Sequence, residues 1–157
     1  MVLNQIFSKA TIAVRLSSTE KDELFEEMVE LLRAAHPDLN REEALNALRA
    51  REAKQSTGVM HAVAIPHGRC ASLQANIGAI GISHAGIDYD ALDGAPVHVV
   101  FMLLIAPKGT EQHVQALKQL SLVLQTQDFV QNLLQCTSSD DVYRLLCMAE
   151  ETLITNL

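Results

Sequence analysis

Apolar side chains recur every three to four residues in several stretches of this chain, which is the spacing of amphipathic helices. Two stretches come early, over residues 24–32 and 44–48, and the first stops at a His-Pro pair, because proline disfavours helical backbone in the residue before it. Two more come late, over residues 114–124 and 142–146, with a short helical segment at 128–135 between them. The pattern therefore predicts two helices at the start of the chain and three at its end.

Capping residues indicate where the early helices begin. Ser17 with Glu20, and Asn40 with Glu43, have the spacing of a capping box, in which each side chain bonds the backbone N–H of the other residue. We expect one helix after each pair, and the second helix to end near Arg51.

Three apolar segments in the middle of the chain are bounded by turns rich in Gly, Asp and Ser, which is typical of strands. They are Ala62–Ile65, Asn76–Ile82 and Val97–Ile105, and Ile6–Leu16 is a weaker strand or a loop. The longest apolar run, which contains the third segment, is far too short to span a bilayer. Helices before and after a group of strands favour an α/β fold, with one sheet covered by helices in a single domain over residues 1–157.

The charge balance is acidic and disfavours some classes of partner. The chain has 12 Lys and Arg against 19 Asp and Glu, a net charge of −7, and no basic cluster, so we expect it to bind neither nucleic acid nor an anionic membrane surface. The first residues lack a secretion signal, which favours a cytoplasmic protein without membrane insertion. The 3 cysteines are an odd number without metal-type spacing, and we expect them to stay reduced.

The segment Ile65-Pro66-His67-Gly68-Arg69 carries the clearest chemical signal. Proline fixes its own φ and biases the residue before it towards extended backbone, whereas glycine permits a sharp exit and the close approach of another molecule. The pattern predicts a strand, a turn and an exposed His67. Without its neighbours in the sequence, such a histidine is more often a surface residue with no chemical role.

Further polar residues lie at the boundaries of the predicted elements. Arg51, Ser56 and Thr57 come where the second helix ends. His113 comes where a later helix begins, and a helix start has N–H donors and a dipole that favour anions. A neutral imidazole is a good nucleophile at pH 7, and phosphoryl transfer depends on positioning and positive charge. The set therefore favours a phosphohistidine site, with a bidentate donor from arginine and hydrogen bonds from the hydroxyls and the second imidazole.

These motifs resemble the IIA proteins of the bacterial phosphoenolpyruvate-dependent phosphotransferase system, of the fructose/mannitol type with its stand-alone nitrogen-regulatory branch. The resemblance rests on Arg51-Glu52 through Ser56-Thr57-Gly58, on Ala64-Ile65-Pro66-His67-Gly68-Arg69, on residues 87–97 leading into an apolar strand, and on His113 before a leucine-rich helix. It covers nearly the whole chain, in order.

The resemblance implies a mixed sheet of about five strands flanked by helices. It also implies a phosphotransferase in which His67 takes phosphate from the phosphocarrier HPr or its nitrogen-branch relative, assisted by Arg51 and His113. Further partners are a IIB protein or regulatory targets, and no cofactor or metal is required. One departure is that Met60 and His61 stand where the family has a small residue, which would affect the choice of partner.

Three alternatives stay open. No IIB or membrane domain is fused here, which favours regulation, but transport IIA proteins that pass phosphate to a IIB partner are also often separate chains. An interaction module that has kept the fold and lost the chemistry draws its support from Met60 and His61 alone. A zinc site of His61, His67 and Cys70 has suitable ligand types but no standard spacing.

Overall fold

A computed structural model describes residues 1–155, with the backbone alone at Val59 and Met60. In chain order the elements are α1 (Leu3–Ile6), β1 (Phe7–Ala13), α2 (Lys21–Ala35), α3 (Arg41–Lys54), β2 (Gly58–Met60), β3 (Val63–Ala64), β4 (His67–Arg69), β5 (Ile77–Ile87), β6 (Val97–Ile105), α4 (Thr110–Leu124), α5 (Phe129–Gln135) and α6 (Ser139–Thr155). Helices cover both faces of a mixed sheet, which confirms the predicted fold class. Among these residues, none of the helices combines the length and apolar character that a membrane span requires.

The sheet has the strand order β1-β5-β6-β3-β2, and β4 pairs with β6 beyond the end of β3. β5 and β6 are antiparallel, as are β2 and β3, whereas the other neighbours are parallel. β3 and β4 run along the same edge of β6 and are interrupted at Ile65-Pro66, because proline lacks the N–H that a ladder needs. The resemblance implies about five strands, and the described residues form six because this edge is divided.

β6 explains why apolar cores lie on both faces of the sheet. Successive residues of a strand point to opposite faces. The odd-numbered residues from Val99 to Leu103 pack with α1, α4, α5 and α6, and the even-numbered residues from Val100 to Leu104 pack with α2 and α3. A strand buried on both faces has a continuous apolar sequence. The bounds predicted for β6 therefore agree with the observed ones.

The predicted capping box of α2 is wrong. The helix begins at Lys21 with Glu20 as its N-cap, and no side chain bonds the cap. Ser17 and Ser18 instead donate their backbone N–H and hydroxyl groups to the carboxylate of Glu27. Glu27 lies two turns into the helix, where the local spacing rule does not reach, and it accepts the Ser17 N–H that the capping box would direct to Glu20.

The other element boundaries have mixed outcomes. The Asn40 side chain accepts a hydrogen bond from the backbone N–H of Glu43 at 3.0 Å, which confirms the predicted start of α3. The weak strand or loop over Ile6–Leu16 is β1, preceded by the single turn α1. β5 continues to Ile87 rather than ending at Ile82, because it resumes its pairing with β6 beyond a short polar segment.

Candidate functional site

A cleft opens at the end of the sheet where α3 and α4 approach β4, and its volume is about 400 Å³. Its lining consists of Ala47, Ala50, Arg51, Lys54, His67, Gly68, Arg69, Ile105 and His113. Three predicted site residues, Arg51, His67 and His113, therefore come from three different elements and meet in one place. Ser56 and Thr57 lie outside this lining.

His67 is the first residue of β4 and is half-buried, so the prediction of an exposed turn histidine is wrong. The cause is β6, which supplies Leu103 as a pairing partner directly after the proline. Nδ1 of His67 lies 2.9 Å from the carbonyl oxygen of Ile65. A carbonyl oxygen can only accept, so Nδ1 carries the hydrogen and donates it. In a neutral ring, Nε2 then keeps its lone pair and is the nucleophilic nitrogen.

Gly68 allows β4 to lie against α3. A Cβ added at Gly68 would come within 2.8 Å of the carbonyl carbon of Ala47 and 2.9 Å of the backbone nitrogen of Leu48. The sequence predicts that another molecule approaches the backbone at Gly68, but the protein's own helix occupies this space. Because Arg51 lies one helical turn after Ala47, this contact sets the position of the arginine relative to His67.

Arg51 lies in the last turn of α3, where a cation interacts favourably with the helix dipole. Its Nη1 donates to the carbonyl oxygen of Gln55 at 2.9 Å, directly after the helix ends. This bond anchors one end of the guanidinium, a group with five donors, at the edge of the cleft. The arrangement suits an arginine that presents further N–H groups to an anion.

His113 lies in the first turn of α4 and is 8% exposed. Its ring centroid lies 5.3 Å from that of His67, with an angle of 45° between the two ring planes. Within the described residues, its Nδ1 is buried and has no hydrogen-bond partner. Buried polar atoms are nearly always paired, so this nitrogen is an exception among the described residues, and it belongs to a residue that lines the cleft.

Both imidazoles are neutral at pH 7. Burial lowers the pKa of His67, and the positive charge of Arg51 lowers it further, against the raising effect of the bond to the Ile65 carbonyl. Burial, followed by the charges of His67 and Arg69, lowers the pKa of His113 to about 4. The neutral ring is the nucleophilic form of an imidazole, so the environment favours that form of His67 at pH 7.

Thr57 belongs to a buried network behind the cleft. Its backbone N–H and hydroxyl donate to the Glu52 carboxylate at 2.9 and 2.7 Å, and the Tyr89 hydroxyl lies 2.7 Å from the threonine oxygen. Lys21 pairs with the same carboxylate at 3.2 Å. Burial raises the pKa of Tyr89, which therefore stays protonated and donates to Thr57. The Ser56 hydroxyl accepts from the backbone N–H two residues later at 3.1 Å.

The sequence analysis missed two cationic residues of the cleft, Lys54 and Arg69. Alternate residues of a strand share a face, so assigning His67 to a strand would have placed Arg69 beside it. The prediction of a turn at His67 gives no reason to place Arg69 on the same face. None of the described residues lining the cleft is acidic. Within residues 1–155, no three His, Cys, Asp or Glu side chains gather as metal ligands.

The turn between β2 and β3 has an unusual backbone. His61 has φ 38° and Ala62 has φ 70°, both in the left-handed region. A two-residue hairpin of type I′ requires this geometry at both positions and favours Asn-Gly, so His-Ala is strained there. His61 is exposed. The predicted effect of Met60 concerns a side chain outside the described part of the structure.

These features define a class of protein, an α/β domain that presents one nucleophilic imidazole in a cationic cleft. Residues 5–148 match the family described as "Phosphoenolpyruvate-dependent sugar phosphotransferase system, EIIA 2". The chain belongs to this family.

Its relatives include both regulatory and transport proteins. The chain is 31% identical over 144 residues to a "Nitrogen regulatory protein" of Pseudomonas aeruginosa, covering 92% of this chain and 94% of that protein. It is 34% identical over 146 residues to the "PTS system fructose-specific EIIABC component" of Bacillus subtilis, covering 93% of this chain but spanning 23% of that longer protein. The crystal structure of the nitrogen regulatory protein IIA-Ntr from Neisseria meningitidis has a TM-score of 0.85 at 31% identity, covering 93% of this chain and 99% of that one.

Proposed function

We propose that this protein is a histidine phosphocarrier that accepts a phosphoryl group from phospho-HPr, or from its nitrogen-branch relative, on Nε2 of His67. The observation that carries the proposal is the 2.9 Å bond between Nδ1 of His67 and the Ile65 carbonyl, which leaves Nε2 as the nucleophile beside a cationic cleft. Membership of the EIIA 2 family supports the same role. A cytoplasmic location, which the sequence predicts, is part of this proposal.

The transfer needs no cofactor in this proposal. The bond between phosphorus and the donor imidazole breaks while the bond between phosphorus and Nε2 of His67 forms, and the electron pair returns to the donor ring. Charge spreads over the three equatorial oxygens, so nearby cations and hydrogen-bond donors supply most of the stabilisation. Arg51 and His113 take these roles, because both line the cleft with His67. When the His113 Nδ1 carries the ring hydrogen, a phosphoryl oxygen supplies the acceptor that it otherwise lacks.

We further propose that the phosphorylated and free forms act as a regulatory signal, as in a nitrogen-regulatory IIA protein. Similarity to regulatory proteins supports this role, since the chain is 31% identical over 144 residues to the Pseudomonas protein and matches the Neisseria IIA-Ntr structure with a TM-score of 0.85. The alternative is a transport protein that passes phosphate to a fructose-type or mannitol-type IIB, and the 34% identity to the fructose component favours it.

Incubation with phosphoenolpyruvate, enzyme I and HPr, followed by mass spectrometry, tests the phosphocarrier role. We expect an acid-labile phosphoryl adduct on the wild type and none on His67→Gln. His98→Gln is the matched control, since His98 is also half-buried and its Nδ1 also lies 2.8 Å from a carbonyl oxygen, that of Ser83. It should retain the adduct. A wild type without an adduct, in the presence of phosphorylated HPr, would support the interaction module instead.

Mixing the phosphorylated protein with a fructose-type IIB separates the two roles. A regulatory protein should keep its phosphoryl group over the time in which an authentic fructose IIA transfers its own. Rapid transfer to the IIB would establish the transport role.

A further inference from the structure

Arg69 lines the cleft, but the proposed transfer of a phosphoryl group onto His67 gives it no role. It lies two residues after His67 on β4, so the two side chains leave the strand on the same face, while Gly68 between them faces α3. Nη1 of Arg69 donates to the hydroxyl of Thr110 at 2.9 Å. Thr110 is the first residue of α4, the helix that carries His113. The bond therefore joins the two elements that hold the two histidines.

The hydrogen bond to Thr110 is a weak contact for a charged guanidinium. Thr110 is neutral and exposed, and Arg69 is exposed as well, so neither burial nor an ion pair holds the contact. None of the described residues lining the cleft is acidic. A guanidinium matches phosphate geometry through two parallel bonds, and a charged donor bonds a charged oxygen more strongly than it bonds a neutral hydroxyl. A phosphoryl group in the same cleft is thus a better acceptor than the threonine.

We propose that Arg69 is a phosphoryl-binding residue that exchanges partners, bonding Thr110 when His67 is free and the phosphoryl oxygens when His67 is phosphorylated. This inference rests on the proposed function of His67. The exchange removes the link between β4 and the first turn of α4. Phosphorylation then changes the surface at the start of α4, beside the cleft, and a partner protein that contacts this surface can distinguish the two forms.

A purely structural role makes a different prediction. If the Arg69–Thr110 bond serves only to hold α4 and His113 in place, then removing either residue impairs the site, and both variants lose affinity for the phosphoryl group. If the bond competes with phosphoryl binding, the two variants change the equilibrium in opposite directions. Loss of Arg69 disfavours the phosphorylated state, whereas loss of the Thr110 hydroxyl destabilises only the free state.

The equilibrium constant for phosphoryl exchange with HPr measures this difference. We expect Arg69→Gln to lower the constant about tenfold, because a charge-assisted interaction with the phosphoryl group is lost. Thr110→Val keeps the shape of the side chain and should raise the constant by roughly two- to fivefold, because the bond that Arg69 donates to an uncharged acceptor in the free state is lost. Arg15→Gln removes the same charge at an exposed position outside the cleft lining and should leave the constant near that of the wild type.

Nuclear magnetic resonance of the side-chain Nε–H of Arg69 supplies a second readout. Its signal should shift on phosphorylation of the wild type and already differ from the wild type in free Thr110→Val. A lowered constant in both variants, or an unchanged constant in Arg69→Gln, would overturn the proposal while leaving the phosphocarrier role intact. A wild type that accepts no phosphoryl group would overturn the proposed function, and this inference with it.

Discussion

The fold treats the ring nitrogens of His67 and His113 differently. Nδ1 of His67 donates to a backbone carbonyl 2.9 Å away, which sets the ring orientation and the tautomer together. Nδ1 of His113 is buried and, within the described residues, has no partner. The first arrangement fixes which ring nitrogen of His67 keeps its lone pair. In the proposed function, a phosphoryl oxygen is the acceptor for the second, and its binding offsets the cost of burying that group.

The lowered pKa of His113 makes folding stability depend on pH. Its pKa is about 4 in the folded protein against 6.5 in the unfolded chain, so between these values only the unfolded chain binds the proton. Stability should therefore fall as the pH drops from 6.5 to 4 and be unaffected by this group above 6.5. In urea titrations, His113→Gln should lose less stability than the wild type between pH 7 and pH 4.5, by about 2 kcal/mol.

The exposed His84 provides the control for this titration. His84→Gln should show the same loss of stability between the two pH values as the wild type. If His113→Gln also loses as much stability as the wild type, then His113 is not held neutral by the fold, and its assigned environment is wrong.

Thr57 tests whether the hydroxyls before β2 contact phosphate, as the sequence analysis predicts, or position the loop. Thr57→Val removes both a donor to Glu52 and an acceptor for Tyr89, which leaves two buried polar groups without this partner. We expect the free energy of unfolding in urea to fall by about 1–3 kcal/mol. Thr152→Val removes an exposed hydroxyl on α6 and should change it by less than about 0.5 kcal/mol. Unchanged stability with lost phosphorylation in Thr57→Val would favour direct phosphate contact.

At the scale of elements, the short strands β2, β3 and β4 determine the geometry of the site. β4 begins directly after the proline and carries both His67 and Arg69, and the β2–β3 hairpin precedes it along the same edge of the sheet. The hairpin turn contains two residues with positive φ and no glycine. Its backbone is therefore held by pairing on either side, including the bonds from His98 and Val99 to the carbonyl of Ala62.

Ala62→Gly should relieve the strain at this turn. With φ at 70°, alanine pays a steric cost that glycine does not, and we expect the free energy of unfolding to rise by about 1 kcal/mol. Ala10→Gly, at an exposed position of β1 without a positive φ, should lower it by roughly 0.5–1 kcal/mol. Differential scanning calorimetry of both variants measures the two changes. A destabilised Ala62→Gly would show that the turn is not strained.

The sequence predicts an element well where the element is buried along its whole length. It predicts an element poorly where pairing with a distant strand determines whether that element forms. β6 is apolar throughout and is predicted with its observed bounds, whereas β4 has three residues, one of them glycine, and no pattern of its own. Arg51, His67 and His113 could be found from their motifs and the family resemblance. Arg69 is missed because the motif around His67 predicts a turn rather than a strand, and Lys54 is missed because the contact between α3 and β4 exists only in the folded chain.

At the scale of the whole molecule, the charge distribution is uneven. The chain has a net charge of −7, yet Arg51, Lys54 and Arg69 line the one cleft that holds both histidines of the proposed site. Three cations and no acidic residue among the described lining residues favour an anionic group, such as a phosphoryl group, in this cleft.

The most direct test of this account is the ring nitrogen that receives phosphorus. Long-range ¹H–¹⁵N correlation spectra of the ¹⁵N-histidine-labelled protein, recorded before and after phosphorylation by enzyme I and HPr, resolve both nitrogens of each histidine. The account predicts that Nε2 of His67 becomes bonded to phosphorus while Nδ1 stays protonated and bonded to the Ile65 carbonyl. Phosphorus on Nδ1 of His67, or on His113, would contradict it.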